Sequence, residues 1–267
     1  MIRVERYADF AFLRMARSVL GRPIFWTGAY LVDGVLLDCG PPATARELVH
    51  ALATERVDAL VLTHHHEDHV GGAPLLSERR GLVPRVAAAG IPLLERGFEQ
   101  EVYRRVAWGT RPRFRAEELG SEVRTRQHRF SVVHTPGHSV DHVCLFEPDR
   151  GWLFTGDLFL AEKLRYLRSD EDLVRLMESL DQVLALPIQR VMCAHRGELT
   201  DGAAALRRKL DHLKALRARV QGLIAAGLPE AEVTRRAVGP EGLITWISGG
   251  RFSARNLVRA LARGTTR

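Results

Sequence analysis

Between Thr63 and Gly72 the chain reads Thr-His-His-His-Glu-Asp-His-Val-Gly-Gly, which places His64, His66, Asp68 and His69 in an H-x-H-x-D-H run. Neutral imidazoles suit zinc and other borderline divalent cations, and a carboxylate beside them adds charge and can hold a second ion nearby. Two metal pockets can therefore share this one loop. Three more ligand types recur downstream, each after an apolar stretch: His138 in Thr135-Pro136-Gly137-His138, Asp157 after Gly156, and His195 after Cys193-Ala194. Seven metal-ligand candidates result: His64, His66, Asp68, His69, His138, Asp157 and His195.

The elements that must position them follow from hydrophobic patterning. Asp58-Ala59-Leu60-Val61-Leu62 has the character of a short buried strand, and the ligand run leaves its carboxyl end, where open sheets place ligands. His64 and His66 can then point to one side while Asp68 and His69 turn to the other. Gly71 and Gly72 let the backbone pass close to the site. The same strand-then-ligand order recurs at Phe130 to His138, Trp152 to Asp157 and Arg190 to His195. Residues 43–53 and 170–185 have helical spacing, the second with Leu173, Leu176, Met177, Leu180 and Leu184 on one face. Two such alternations predict an α/β protein with a four-layer αββα sandwich.

Residues 96–120, from Arg96-Gly97-Phe98 to beyond Phe114-Arg115, have no clear period, so a lid or substrate wall is expected there. Past Leu199 the chain turns helical. Leu206, Leu210, Leu213, Leu216, Val220 and Leu223 mark one long amphipathic helix that Gly227-Leu228-Pro229 ends. A short helix over Glu230 to Ala237 follows, and Ser253 can cap a third from Ala254 to Ala262. We therefore expect a catalytic domain over residues 1–198 and a helical C-terminal extension over 199–267.

The chain resembles the metallo-β-lactamase superfamily of metallohydrolases over roughly residues 25–200. The resemblance lies in five motifs in order: Asp38 after a strand, T-H-x-H-x-D-H-x-G-G at Thr63 to Gly72, T-P-G-H-S at Thr135 to Ser139, Gly156-Asp157, and His195 before Arg196-Gly197. It implies one metal held by His64, His66 and His138, another by Asp68, His69 and His195, with Asp157 bridging and Asp38 orienting a ligand. It further implies a dinuclear metallohydrolase with two divalent ions, zinc first and iron or manganese as alternatives, whose shared hydroxide attacks the substrate. Asp68 would hold that hydroxide and move its proton.

Within the superfamily the glyoxalase II thioesterases resemble this chain in ligand set and helical C-terminal part. A thioester, ester or lactone is the implied small-molecule acyl substrate. Lys163, Arg165 and Tyr166, close after Asp157, are candidate contacts for an anionic handle on it. The runner-up is an endoribonuclease or phosphodiesterase of the lactamase-like group, which Thr135 to His142 also resembles, with nucleic acid as partner. A mononuclear iron persulfide dioxygenase is the third alternative.

Composition sets the outer bounds. The 267 residues carry a net charge of +7, and residues 201–267 hold thirteen Arg or Lys against five Asp or Glu. A basic segment can attract nucleic acid or another anion, but without interleaved stacking aromatics it reads first as a solvated helix face. The helical extension is also a candidate homodimer surface. The N-terminus mixes charges and leads into no long apolar stretch, so no membrane association is expected and a cytoplasmic location is. Cys39, Cys144 and Cys193, odd in number and beside apolar runs, read as reduced core residues. Of the remaining histidines, His65 is expected to point away from the ligands and His134 to be structural. His142 is expected to line the pocket, bond a ligand or serve the core.

Overall fold

The apolar runs become strands buried on both faces. Val35, Leu37 and Val61 point into one core, while their neighbours Leu36 and Leu60 point into another. Because side chains alternate along a strand, each such strand needs apolar cover on two sides. The computed structural model, which describes residues 1–97 and 100–263, supplies it with four layers. Two sheets face each other across Phe12, Tyr30, Phe130, Leu145, Trp152 and Phe154. Helices Ala45–Ala51 and Ala73–Arg80 cover the first sheet through Leu48 and Leu76. Helices Leu173–Leu184, Gly202–Ala225 and Ala254–Ala262 cover the second through Leu180, Leu206, Leu213 and Val258. This is the αββα sandwich expected from the alternation of elements.

Both sheets run in chain order. The first is Ile2–Arg6, Ala11–Met15, Thr27–Val32, Val35–Leu37, Ala59–Val61, Pro84–Val86 and Glu117–Glu118. The second is Glu122–Arg124, Arg129–His134, Val143–Glu147, Trp152–Phe154, Arg190–Cys193 and Gly197–Leu199. Each half starts with antiparallel pairs and then makes a parallel crossover through a helix: Val35–Leu37 to Ala59–Val61, and Trp152–Phe154 to Arg190–Cys193. All four of these strands are followed within three residues by a site candidate, namely Asp38, His64, Asp157 and His195. The carboxyl ends of two facing sheets thus deliver the chemistry to one edge of the sandwich.

The long C-terminal helix spans Gly202–Ala225, and Ser253 caps Ala254–Ala262 by accepting from the Asn256 backbone N–H at 3.0 Å. These helices share one core with Leu173–Leu184. Truncating one of their fully buried leucines to Ala would cost about 2–5 kcal/mol. Sequence patterning did not foresee the short helix Leu243–Ile247 or the ribbon that pairs Leu167–Arg168 with Phe252–Ser253. These elements are too short to show a period. In the region from 96 to 120, Val102–Trp108 is helical and Glu117–Glu118 is the edge strand of the first sheet; Phe98 lies outside the described residues. Among the described residues no helix is long and apolar enough to cross a membrane. All three cysteines are buried and free.

Candidate metal centre

The ligand run begins where strand Ala59–Val61 ends. Thr63 anchors it, its N–H and Oγ1 both donating to Asp38 Oδ1, at 2.8 and 3.1 Å. Asp38 sits in the left-handed region (φ 61°), which aspartate tolerates better than most residues and which turns its carboxylate back over the loop. The short helix Glu67–Val70 then carries Asp68 and His69 round to a second group, with the His69 ring still 4.2 Å from that of His64. Gly71 closes the turn, its N–H donating to Gly40 O at 2.8 Å; a Cβ there would lie 2.0 Å from the Pro42 nitrogen. The glycine is required by this approach.

Two groups of side chains come together: His64, His66 and His138, and beside them Asp68, His69, Asp157 and His195. In each group the potential ligand atoms lie within 4.8 Å of one another. Asp157 touches both. Its Oδ1 is 3.1 Å from His69 Nε2 and from His195 Nε2, and its Oδ2 is 3.2 Å from His138 Nε2. Asp68 Oδ2 is 3.5 Å from His195 Nε2 and 3.7 Å from His69 Nε2. His66 Nδ1 lies 2.9 Å from His138 Nε2.

Four of the five imidazoles have their Nδ1 tied outward. His69 Nδ1 donates to Asp38 Oδ2 at 2.7 Å, His138 Nδ1 to Glu171 Oε1 at 2.7 Å, His195 Nδ1 to the Trp26 carbonyl at 2.7 Å, and His64 Nδ1 to Thr63 Oγ1 at 3.0 Å. A proton fixed on Nδ1 leaves the Nε2 lone pair pointing inward, the state a metal ligand needs. Among the described residues, the buried atoms His64 Nε2, His69 Nε2 and Asp157 Oδ1 make no well-aligned hydrogen bond, although the last two lie 3.1 Å apart. Each such orphan costs about 1–3 kcal/mol, and a divalent cation would satisfy several at once. The residues fit a metal.

Electrostatics divide the site. Burial, aided by neighbouring cationic groups, pushes His64 and His66 well below the usual imidazole range, with His69 the next influence on the first and Arg168 on the second. Burial opposes charge at His69, His138 and His195 too, but there Asp157 outweighs it and all three are raised. Burial likewise works against the Asp157 carboxylate, yet His195, His69 and His138 hold it well below its ordinary value.

The other histidines have different work. His142 is pushed down to about 3 by burial and then by His138, and its neutral Nε2 accepts from the Asp157 N–H at 3.0 Å. Gly156 keeps that contact open, since a Cβ on it would lie 2.7 Å from His142 Nε2. His65 turns away and pairs with Asp141 at 2.7 Å. His134 is exposed at the end of its strand, and Lys163 and Arg165 are exposed in the loop before Leu167–Arg168, with Arg165 5.7 Å from the Tyr166 ring.

Several residues at the site carry no sequence signal. Glu67, inside the ligand run, is fully buried and meets the buried Arg104 in a two-pronged ion pair at 2.5 and 2.8 Å. Arg104 belongs to helix Val102–Trp108, whose last residue, Trp108, lies 6.3 Å from His195, ring to ring. That helix therefore lies along the centre, fixed at one end to Glu67. Only a spacing search for an arginine facing a buried glutamate could have found the pair, and helix periodicity over seven residues is too faint for it.

A family profile described as Metallo-beta-lactamase superfamily matches residues 29–195. A hydroxyacylglutathione hydrolase from Legionella pneumophila (strain Paris) is 33% identical over 174 residues, covering 64% of this chain and 61% of that protein. The chain thus matches about three fifths of the relative's length. A Burkholderia ambifaria beta-lactamase domain protein aligns with a TM-score of 0.69 at 20% identity, covering 97% of this chain and 86% of that one. A protein solved in a di-iron-bound form aligns with a TM-score of 0.57 at 29% identity, over 70% of this chain and 96% of that chain.

Proposed function

Because the chain belongs to the metallo-beta-lactamase superfamily, we propose that it is a metal-dependent hydrolase that cleaves a thioester or related ester at a dinuclear centre. The observation that carries this is the convergence of two ligand groups on one carboxylate, Asp157, with the inward nitrogens of His64 and His69 making no well-aligned hydrogen bond among the described residues. The similarity to a hydroxyacylglutathione hydrolase supports a thioester, and the di-iron form of a 29% identical protein supports two ions.

His64, His66 and His138 would hold one ion and Asp68, His69 and His195 the other, with Asp157 between them. Bound there, two divalent cations supply Lewis acidity and a water acidified toward neutral pH. The chain's own residues do the rest. Asp38, Glu171, Thr63 and the Trp26 carbonyl keep four imidazoles in the metal-ready tautomer. Asp68, a carboxylate at the mouth of the second group, takes the proton of the attacking water and returns it to the leaving group. Trp108 lines the His195 side, ring to ring at 6.3 Å. No serine or cysteine nucleophile is needed, and the buried cysteines are held protonated: burial pushes Cys144 up to about 12 and Cys193 up to about 11.

The test is metal quantification on protein purified without added metal, followed by thioesters, lactones and phosphodiesters before and after chelation. Thioester turnover that disappears with chelator and returns with zinc, manganese or iron is expected. Preference for phosphodiesters, oxygen uptake with one iron per chain, or turnover that survives demetallation would each overturn it.

A further inference from the structure

Glu171 and Arg168 lie outside every motif of the ligand run, yet both reach the His64, His66 and His138 group. Glu171 Oε1 accepts from His138 Nδ1 at 2.7 Å, and its Oε2 accepts from the Arg168 N–H at 3.2 Å. The Glu171 N–H donates back to Arg168 O at 3.1 Å, so the turn from 168 to 171 closes on itself. From the same turn the buried Arg168 side chain donates to His66 Nε2 at 2.9 Å and to His138 O at 3.3 Å.

The turn is in its turn held by the C-terminal segment. Leu167–Arg168 pairs antiparallel with Phe252–Ser253, and the Ser169 N–H donates to Arg251 O at 2.9 Å. Asn256 Nδ2 spans the junction, donating to Leu167 O at 3.3 Å, Gly250 O at 3.2 Å and Arg251 O at 2.9 Å. The imidazoles of the other group are tethered elsewhere, His69 by Asp38 and His195 by the Trp26 carbonyl.

We propose that Glu171 is a positioning residue for the His64, His66 and His138 group alone, and that the ribbon with Phe252–Ser253 makes the C-terminal segment part of that half of the centre. Resting on the metal-binding reading above, this assigns the long tail a role at the site that its apolar stripes do not reveal. A carboxylate on Nδ1 fixes the tautomer and the ring plane of His138, and loss of such an outer partner typically weakens a metal about 10–100-fold.

Cobalt(II) binding to the full chain, read by chelator competition and by the visible absorption of each bound ion, separates the two equivalents. Glu171→Ala should weaken one equivalent about 10–100-fold and change its absorption while leaving the other as it was. Glu171→Gln, which keeps a carbonyl oxygen for the imidazole N–H, should recover part of the loss. Asn256→Ala, remote from the ligands, should weaken the same equivalent by a smaller factor; Asp38→Ala should weaken the opposite one most, because Asp38 holds His69 directly and reaches His64 only through Thr63. Equal weakening of both equivalents by Glu171→Ala, no weakening, or an Asn256→Ala effect on the Asp38-dependent equivalent overturns the proposal. Where circular dichroism shows Glu171→Ala unfolded, Glu171→Gln and Asn256→Ala decide it. Wild-type protein that binds no cobalt is a different result, against the metal reading itself.

Discussion

His64, His66 and His138 meet as three imidazoles, whereas His69 and His195 share their space with the Asp68 carboxylate. Their surroundings differ as much as their chemistry. Burial keeps His64 and His66 uncharged, with Arg168 adding to it at His66, while Asp157 raises His138 in the first group and both His69 and His195 in the second. One raised imidazole in three thus stands against two in two. The direct tethers differ too, His138 leaning on the second sheet's turn through Glu171 and His69 on the first sheet through Asp38, which reaches His64 only by way of Thr63. A ten-residue loop therefore contributes to two side-chain groups of unequal character because the folds around its two sides are unequal.

Asp157→Ala should erase the distinction, since among the described residues this carboxylate alone touches both groups: both metal equivalents should weaken by at least about 100-fold, measured by mass spectrometry of bound metal after dialysis. Arg104→Ala should cost about 3–5 kcal/mol in denaturant unfolding, because it strands the buried Glu67 carboxylate between His66 and Asp68. That loss should loosen both halves equally. Asp38→Ala should restore the contrast by weakening the His69 equivalent most, about 10–100-fold, since Asp38 holds His69 directly and His64 only through Thr63.

Lowering the pH should do so by a different route. Protons compete for imidazoles whose values are raised, so metal affinity is full above those values and falls as pH drops through them. The His69 and His195 side, with two raised imidazoles against the single raised His138 of the first group, should empty first as pH falls, with proton uptake seen by an indicator dye. Simultaneous loss of both equivalents would contradict the electrostatic division. The smallest effect belongs to Trp108→Ala, which should lower kcat/KM several-fold, on the order of 1 kcal/mol, without changing metal content.

How far the sequence revealed these features depended on how local each signal was. His64, His66, Asp68 and His69 announce themselves because four ligand types crowd into six positions. His138, Asp157 and His195 were legible because each follows shortly after an apolar, strand-like run. The helices Glu230–Ala237 and Ala254–Ala262 were legible in their caps and breakers. Glu171 was not, since a glutamate between Asp170 and Asp172 looks like solvent-facing charge until the turn at Arg168 folds it under His138. Glu67 and Arg104 were hidden for a related reason: their pairing joins positions 37 residues apart with no shared pattern. Two-residue strands such as Phe252–Ser253 have no periodicity to read, and their partner Leu167–Arg168 is fixed only by tertiary contact.

The most direct measurement is the number of divalent ions bound per chain after demetallation and refilling, followed through thioester turnover at each point of the titration. Two equivalents of unequal affinity, with turnover appearing as the second fills, is the predicted result. Turnover unchanged in fully demetallated protein, or a chain that takes up no ion at saturating zinc, would contradict it.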